Sequence, residues 1–410
     1  MLVWRALRAV VAIGVYNVFR GFVVGGYMTL FSMYMRSLGY SMESIGGVIA
    51  VSSIISAIVL PAIGVYIDRM GPRIWVIITG FMQFAGIALL VFTDSLEGLA
   101  ASYFLFLLSF MAGQPSRMSY LARSVELASL GTLVGLTSSI FSASRLVGPA
   151  AGGFIAGELG FKFSFEILAI ASLVGLAFFT VLSTNTRLKD VSAPNSVKEA
   201  YRSVIRPPKN MSSLLLFIGA DRFSWGLWFQ LLSAHLYGYG YTEFEVGTLI
   251  TLSGVVQTAF LPIAGKLVDK LGATTALALS ELVGAASALI LAQPQGLNAY
   301  LAMALLGLSI ASWVPSYNTL IAKVAGEGGS GYTAANTSRS IAGAPAPYLG
   351  GFLYDYLTPA APFGLSALSL AILGIIAKLY LRKIEDSASV SKERQARSET
   401  AAIPLPPAKR

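Results

Sequence analysis

No cysteine and a single histidine, His235, occur among the 410 residues. Disulfides, thiolate nucleophiles and cysteine or histidine metal clusters are thereby excluded. No His-Glu-x-x-His, aspartate-rich or nucleophile-elbow pattern is present, so neither an integral-membrane enzyme nor a cofactor is expected. Charge is scarce as well: 12% of residues are Asp, Glu, Lys or Arg, against about a quarter in soluble domains. With a mean hydropathy of +0.70, the chain reads as integral to a membrane.

In place of charge there is a succession of apolar runs, each long enough at about 1.5 Å per residue to cross about 30 Å of hydrocarbon. Twelve are counted, at 9–36, 44–66, 73–93, 99–120, 132–157, 161–183, 211–238, 244–266, 273–293, 297–320, 330–355 and 361–382. They predict an all-α integral membrane fold. The first run extends past an ordinary signal core with no small-residue cleavage site, so it is expected to remain. The net charge of +9 follows topology and does not mark a nucleic-acid partner. Arg36 and Lys162 alone fall beyond the far ends of spans, and Arg20, Arg117, Arg145, Arg222 and Arg339 fall within them. The other Lys and Arg share the side of the N-terminus. This positive-inside bias predicts a multi-pass protein of the cell membrane, in contact with lipids, with both termini cytoplasmic.

The chain repeats. A shift of 201 residues lays LGYSMESIG (38–46) on YGYTEFEVG (239–247) and Asp68 on Asp269. At 200, QPSRMSYLAR (114–123) lies on VPSYNTLIAK (314–323), and at 198, GPAAGG (148–153) lies on APYLGG (346–351). Ordered matches at nearly constant offset imply a duplicated six-helix unit. The expected organisation is a six-helix bundle at 1–183, a cytoplasmic linker at 184–210, a second bundle at 211–383 and a flexible cytoplasmic tail at 384–410.

Two short polar breaks, GVYIDRMGPR (64–73) and GKLVDKLGAT (265–274), fall between the second and third spans of each half. Gly64 and Gly265 would let helices approach closely, Gly71 and Gly272 suit positive-φ turns, and Asp68 and Asp269 can accept hydrogen bonds from a helix start. Here the chain resembles the major facilitator superfamily of secondary transporters. That family's motif A stands as Gly64, Asp68, Arg69, Gly71 and Arg73, with a partial copy at Gly265, Asp269, Lys270 and Gly272. The resemblance implies two pseudo-symmetric six-helix bundles rocking about a central cavity, with Asp68, Arg69, Arg73 and Asp269 as a gate or, equally, as helix caps. The antiporter-associated motif C appears as Gly135, Ser144, Gly148, Pro149, Gly152 and Gly153, with Ser144 where glycine is usual. It reads either as a bend closing the outer mouth or as a packing face. Motif B is unmatched, because Ser109 stands where its arginine would be.

An arginine at mid-membrane costs about 2.5 to 3.5 kcal/mol on insertion scales, so five such residues need partners. Arg20 and Asp221 are repeat counterparts and are expected to meet across the pseudo-twofold axis, as a structural ion pair or as a coupling pair, with Arg222 competing for Asp221. Arg145 and Arg339 sit halfway through their spans without acidic neighbours in sequence. Arg117 is expected to snorkel to headgroups, Glu281 to face lipid or the other bundle, and His235 to lie at the interface. Tyr16, Arg20 and Tyr27 share one helix face; Asp221, Trp225 and Trp228 share a second; Trp313 and Tyr317 share a third. These faces would line the cavity or pack between helices. The candidate substrate site is therefore Arg20, Arg145, Asp221, Arg339, Trp225, Trp313 and Tyr317, and the candidate gating or coupling groups are Asp68, Arg69, Arg73, Asp269, Gly148, Pro149 and Asp221. Five interior arginines against two carboxylates favour a secondary transporter of a small organic anion, monomeric, with protons as the candidate coupling ion. The alternative is a drug/proton antiporter exporting amphipathic compounds.

Overall fold

The computed structural model describes residues 2–125, 127–185, 211–325 and 329–382. The expected linker, apart from Thr184 and Asn185, and the expected tail lie outside them. The described residues form α1 (Leu2–Ser37), α2 (Met42–Met70), α3 (Pro72–Phe92), α4 (Leu96–Ser124), α5 (Leu127–Leu159) and α6 (Phe161–Leu182) in the first half. The second half contains α7 (Ser212–Gly226), α8 (Leu232–Gly238), α9 (Glu243–Leu271), α10 (Ala273–Leu291), α11 (Leu297–Ala325), α12 (Gly329–Gly343), α13 (Ala346–Tyr356) and α14 (Ala361–Ile376). Ten helices are long and apolar enough to cross a membrane. The other four pair up: α7 continues into α8 through a turn at Phe229–Leu231, and α12 into α13 through Ala344 and Pro345. Twelve crossings result, of which the seventh and eleventh are interrupted.

Both interruptions have local causes. Pro345 offers no backbone donor, and Trp228 takes φ −138°, outside the helical range, while its indole donates to Ser366 at 2.9 Å. The two breaks also lie against each other. A Cβ on Gly226 would stand 2.7 Å from the Cβ of Ala346, and one on Gly350 would overlap the carbonyl oxygen of Leu227.

Repeat positions recur in the backbone. Gly39 and Gly240 take φ 87° and 91°, and Gly71 and Gly272 take 93° and 83°. The last two have ψ of 142° and 154°, a region open to glycine alone. Ser41 caps α2 by accepting from Ser44 N, and its counterpart Thr242 forms a capping box with Glu245 on α9. Within lipid, helices gain little from apolar burial, so close backbone contact and interhelical hydrogen bonds hold them. Ser280 and Ser309 each donate to the other's carbonyl at 2.9 Å, and Ser102 donates to Gly86 O at 2.6 Å.

The halves touch at one end and part at the other. At the end bearing residues 38–41 and 239–242, the start of α2 lies on α13 and the start of α9 lies on α5. A Cβ on Gly46 would overlap Pro347, on Gly351 Met42, on Gly247 Pro149, and on Gly153 Glu243. Glu43 N also donates to Asp355 at 2.7 Å, and Tyr348 donates to Glu43 at 2.9 Å. At the opposite end, Gly64, Gly131, Gly135 and Gly265 have nothing within 4 Å of where a Cβ would stand. The close approach expected of Gly64 and Gly265 is therefore absent, because the helix ends that would meet there are separated.

The closed end also carries a loop clasp. Asp94 accepts from Tyr34 and, at 2.9 Å, from Lys162, and its carbonyl accepts from Tyr40 at 2.8 Å. The Tyr34 hydroxyl and then the Lys162 ammonium hold the Asp94 carboxyl below its ordinary range. A depressed carboxyl stabilises the fold above its unfolded value and loses that contribution as pH falls through the folded value. Asp94→Asn should accordingly lower the thermal midpoint at neutral pH, and the gap to wild type should close below about pH 4.

Candidate functional site

Interior charges gather in two clusters, one in each half. In the first, Arg20 of α1 is 1% exposed. Its Nη1 donates to Gln83 Oε1 of α3 at 2.6 Å and to the Tyr16 hydroxyl at 3.4 Å, and its Nη2 donates to the carbonyl of Ser109 on α4 at 3.1 Å. The expected meeting of Arg20 with Asp221 does not occur. Each side chain turns to polar partners of its own half. Arg20 comes to rest at Ser109, the position where motif B would place an arginine. Arg117 does not snorkel; its guanidinium lies beside that of Arg20 over Gly113 and 5.8 Å from the ring centre of Phe141.

In the second cluster, Trp313 and Tyr317 of α11 stack at 4.3 Å, and the Arg339 guanidinium of α12 covers both, 4.5 Å and 5.2 Å from the ring centres. Asp221 of α7 has Arg339, Glu281, Arg222 and Trp313 around it. Glu281 of α10 is fully buried against Asp221 and away from lipid, which corrects the sequence expectation. These groups adjoin without closing hydrogen bonds: Asp221 Oδ1, both Glu281 carboxyl oxygens and Trp313 Nε1 have no such partner among the described residues. The site therefore presents an aromatic face, a cation and two carboxyl groups whose hydrogen-bonding capacity is not used up within the protein.

Other candidates fall elsewhere. Trp225 packs on Gly284 and Trp228, and Tyr16 and Tyr27 are buried in the first half, Tyr27 stacked on Phe106 at 3.8 Å. His235 is buried rather than interfacial, bonded to Leu291 O at 2.8 Å and Tyr354 at 3.2 Å. Arg145 keeps an exposed side chain midway along α5. Its backbone packs on Gly21 and Gly25 of α1, just as Gly148 packs on Phe22 and Gly26. At the parted end Asp68 pairs with Arg123 of α4 at 2.8 Å, not with a helix start. Arg73 ties α3 to Ser183, Asn185 and Thr180 at 2.8, 2.8 and 3.0 Å. The sequence pointed to Asp221, Trp313, Tyr317 and Arg339, which the fold brings together. Gln83 and the inward turn of Glu281 carried no sequence signal.

Comparison with known proteins agrees with this architecture. The chain is 26% identical over 363 residues to Multidrug resistance protein 2 of Bacillus subtilis, covering 83% of this chain and 87% of that protein. It is 25% identical over 331 residues to the multi-drug resistance efflux pump PmrA of Streptococcus pneumoniae, covering 76% and 81%. Among solved structures, a POT peptide transporter superposes with a TM-score of 0.71 at 16% identity, covering 92% of this chain and 95% of that one. The nucleoside transporter NupG gives 0.72 at 12% identity, covering 92% and 98%. The family model of the Major Facilitator Superfamily matches residues 13–347. By that match the chain belongs to the Major Facilitator Superfamily and is a membrane transporter, not an enzyme.

Proposed function

We propose that this chain exports amphipathic organic compounds from the cytoplasm in exchange for protons, as a monomer alternating between two access states. The observation that carries this reading is the second-half cluster, in which the stacked Trp313 and Tyr317 under Arg339 adjoin Asp221 and Glu281. A flat aromatic face accepts varied apolar bodies, which suits a broad substrate range better than a site built for one small anion. The efflux names of the two sequence relatives support the same choice. The small-anion reading favoured by charge counting thus gives way to its alternative. The Lys and Arg bias supports a cytoplasmic parted end, and on this reading the structure is an inward-open state that loads substrate from inside.

Glu281 and Asp221 supply the proton site. Among the described residues, the charged group set against Glu281 is Asp221, which has the same sign. Two carboxylates buried side by side repel, so on this reading the pair shares one proton. Everted vesicles acidified inside should accumulate several unrelated amphipathic dyes. Trp313→Ala should weaken apparent dye affinity by about two- to tenfold, the range expected for loss of one stacking partner. If vesicles carrying the protein move no dye, or only one hydrophilic solute, the export reading is wrong.

A further inference from the structure

The first-half cluster has no part in that mechanism, and its chemistry is unbalanced. Arg20 and Arg117 both pack onto Gly113: a Cβ there would stand 2.8 Å from Arg20 Nη2 and 3.1 Å from Arg117 Nη1, too close for either to stay in place. Two cations packed on one glycine in a low-dielectric interior repel. No acidic residue adjoins them among the described residues, where the salt bridges are Arg123 with Asp68 and Lys162 with Asp94. The hydrogen bonds are lopsided in the same sense. Arg20 Nε, Arg117 Nη1 and Gln83 Nε2, together with the Ser109 hydroxyl, are buried without a partner, and each of the four can donate. The nearest unpartnered acceptor along α1 is Asn17 Oδ1, which is neutral and cannot balance the charge.

Clustered unused donors on paired buried cations, with no acid beside them, are what an anion site offers. We propose that Arg20, Arg117, Gln83 and Ser109 bind one compact anion over Gly113, a carboxylate on the transported compound or a free inorganic anion such as chloride. The planar donor edges of the two guanidinium groups match a carboxylate. The site rests on burial and donor count and stands whether or not the protein exports amphipaths.

Calorimetric titration of the purified protein with benzoate, its neutral methyl ester and chloride tests this without a transport assay. Benzoate should bind and the ester should not. Gly113→Ala, which pushes the two guanidinium groups out of place without removing a charge, and Arg117→Gln should each weaken benzoate at least about tenfold, with Arg117→Lys intermediate. Competition by chloride would show that both sources reach one site, and binding of chloride alone would assign the site to the free ion. Absence of binding by both anions, or affinities unchanged in Gly113→Ala and Arg117→Gln while unfolding curves show intact protein, would overturn the proposal. Loss of benzoate binding in Arg339→Gln alone would also overturn it, by moving the anion to the other half.

Discussion

Glu281→Gln should leave the protein folded and able to exchange substrate while abolishing its response to a pH gradient. The amide keeps the shape of the carboxyl and removes the exchangeable proton, so substrate contacts with Trp313, Tyr317 and Arg339 survive. A gradient of about two pH units is worth about 2.7 kcal/mol per proton, which a one-proton exchanger converts into at most about a 100-fold dye ratio. Wild-type vesicles should approach that limit, and Glu281→Gln vesicles should equilibrate at a ratio near one. Exchange of internal for external dye, which needs no net proton movement, should continue within about a factor of three. Asp221→Asn should behave alike, because either change leaves one carboxyl where the exchange uses two. Retention of gradient-driven accumulation by Glu281→Gln would remove the carboxyl pair from the mechanism.

The second large effect should come from the closed end. Methyl groups at Gly46 and Gly247 would overlap Pro347 and Pro149 backbone atoms, which cannot step aside as a flexible side chain can. The α2–α13 and α9–α5 contacts should part in Gly46→Ala/Gly247→Ala, shifting the equilibrium away from the inward-open state. Overpacking costs about 1 to 3 kcal/mol per site, so two sites approach the roughly 5.5 kcal/mol that inverts a 99:1 population. Because the natural chain has no cysteine, Met42→Cys provides a single reporter. Met42 is 1% exposed and its carbonyl lies against Gly351. The thiol should react slowly in the otherwise natural chain and at least about tenfold faster in the double variant, with transport reduced in parallel. Equal labelling rates would show that these glycines do not hold the end closed.

The twelve crossings and the duplication were legible because hydropathy and offset survive in a single chain, as Gly71 and Gly272 show by sharing one backbone conformation. What escaped was decided by pairs remote in sequence and unequal between the halves. At the shift of 201, Gln83 corresponds to Gly284 and Glu281 to Gly80, so the polar partner sits one turn apart in the two copies. Symmetry predicted that Arg20 and Asp221 would face each other. Their displaced partners instead drew each into its own half. The breaks near Trp228 and Pro345 escaped for a related reason. Pro61, Pro115, Pro149, Pro262 and Pro315 all lie inside continuous helices, so proline alone did not mark them. Only the mutual contact of Gly226 with Ala346 and Gly350 with Leu227 explains where the chain leaves the helix.

The four glycine contacts at the closed end come in symmetric pairs. Gly46 meets Pro347 and Gly247 meets Pro149, yet Gly46 corresponds to Gly247 and Pro149 to Pro347 in the repeat. Residue i of one copy touches residue j of the other, and the reverse contact repeats it. That reciprocity is the rule of an isologous interface in a twofold dimer. The closed end is thus self-complementary, each half offering the other the surface that a second identical copy would offer. The two copies keep this seam alike while differing in their interiors, one aromatic and carboxyl-bearing, the other arginine-rich.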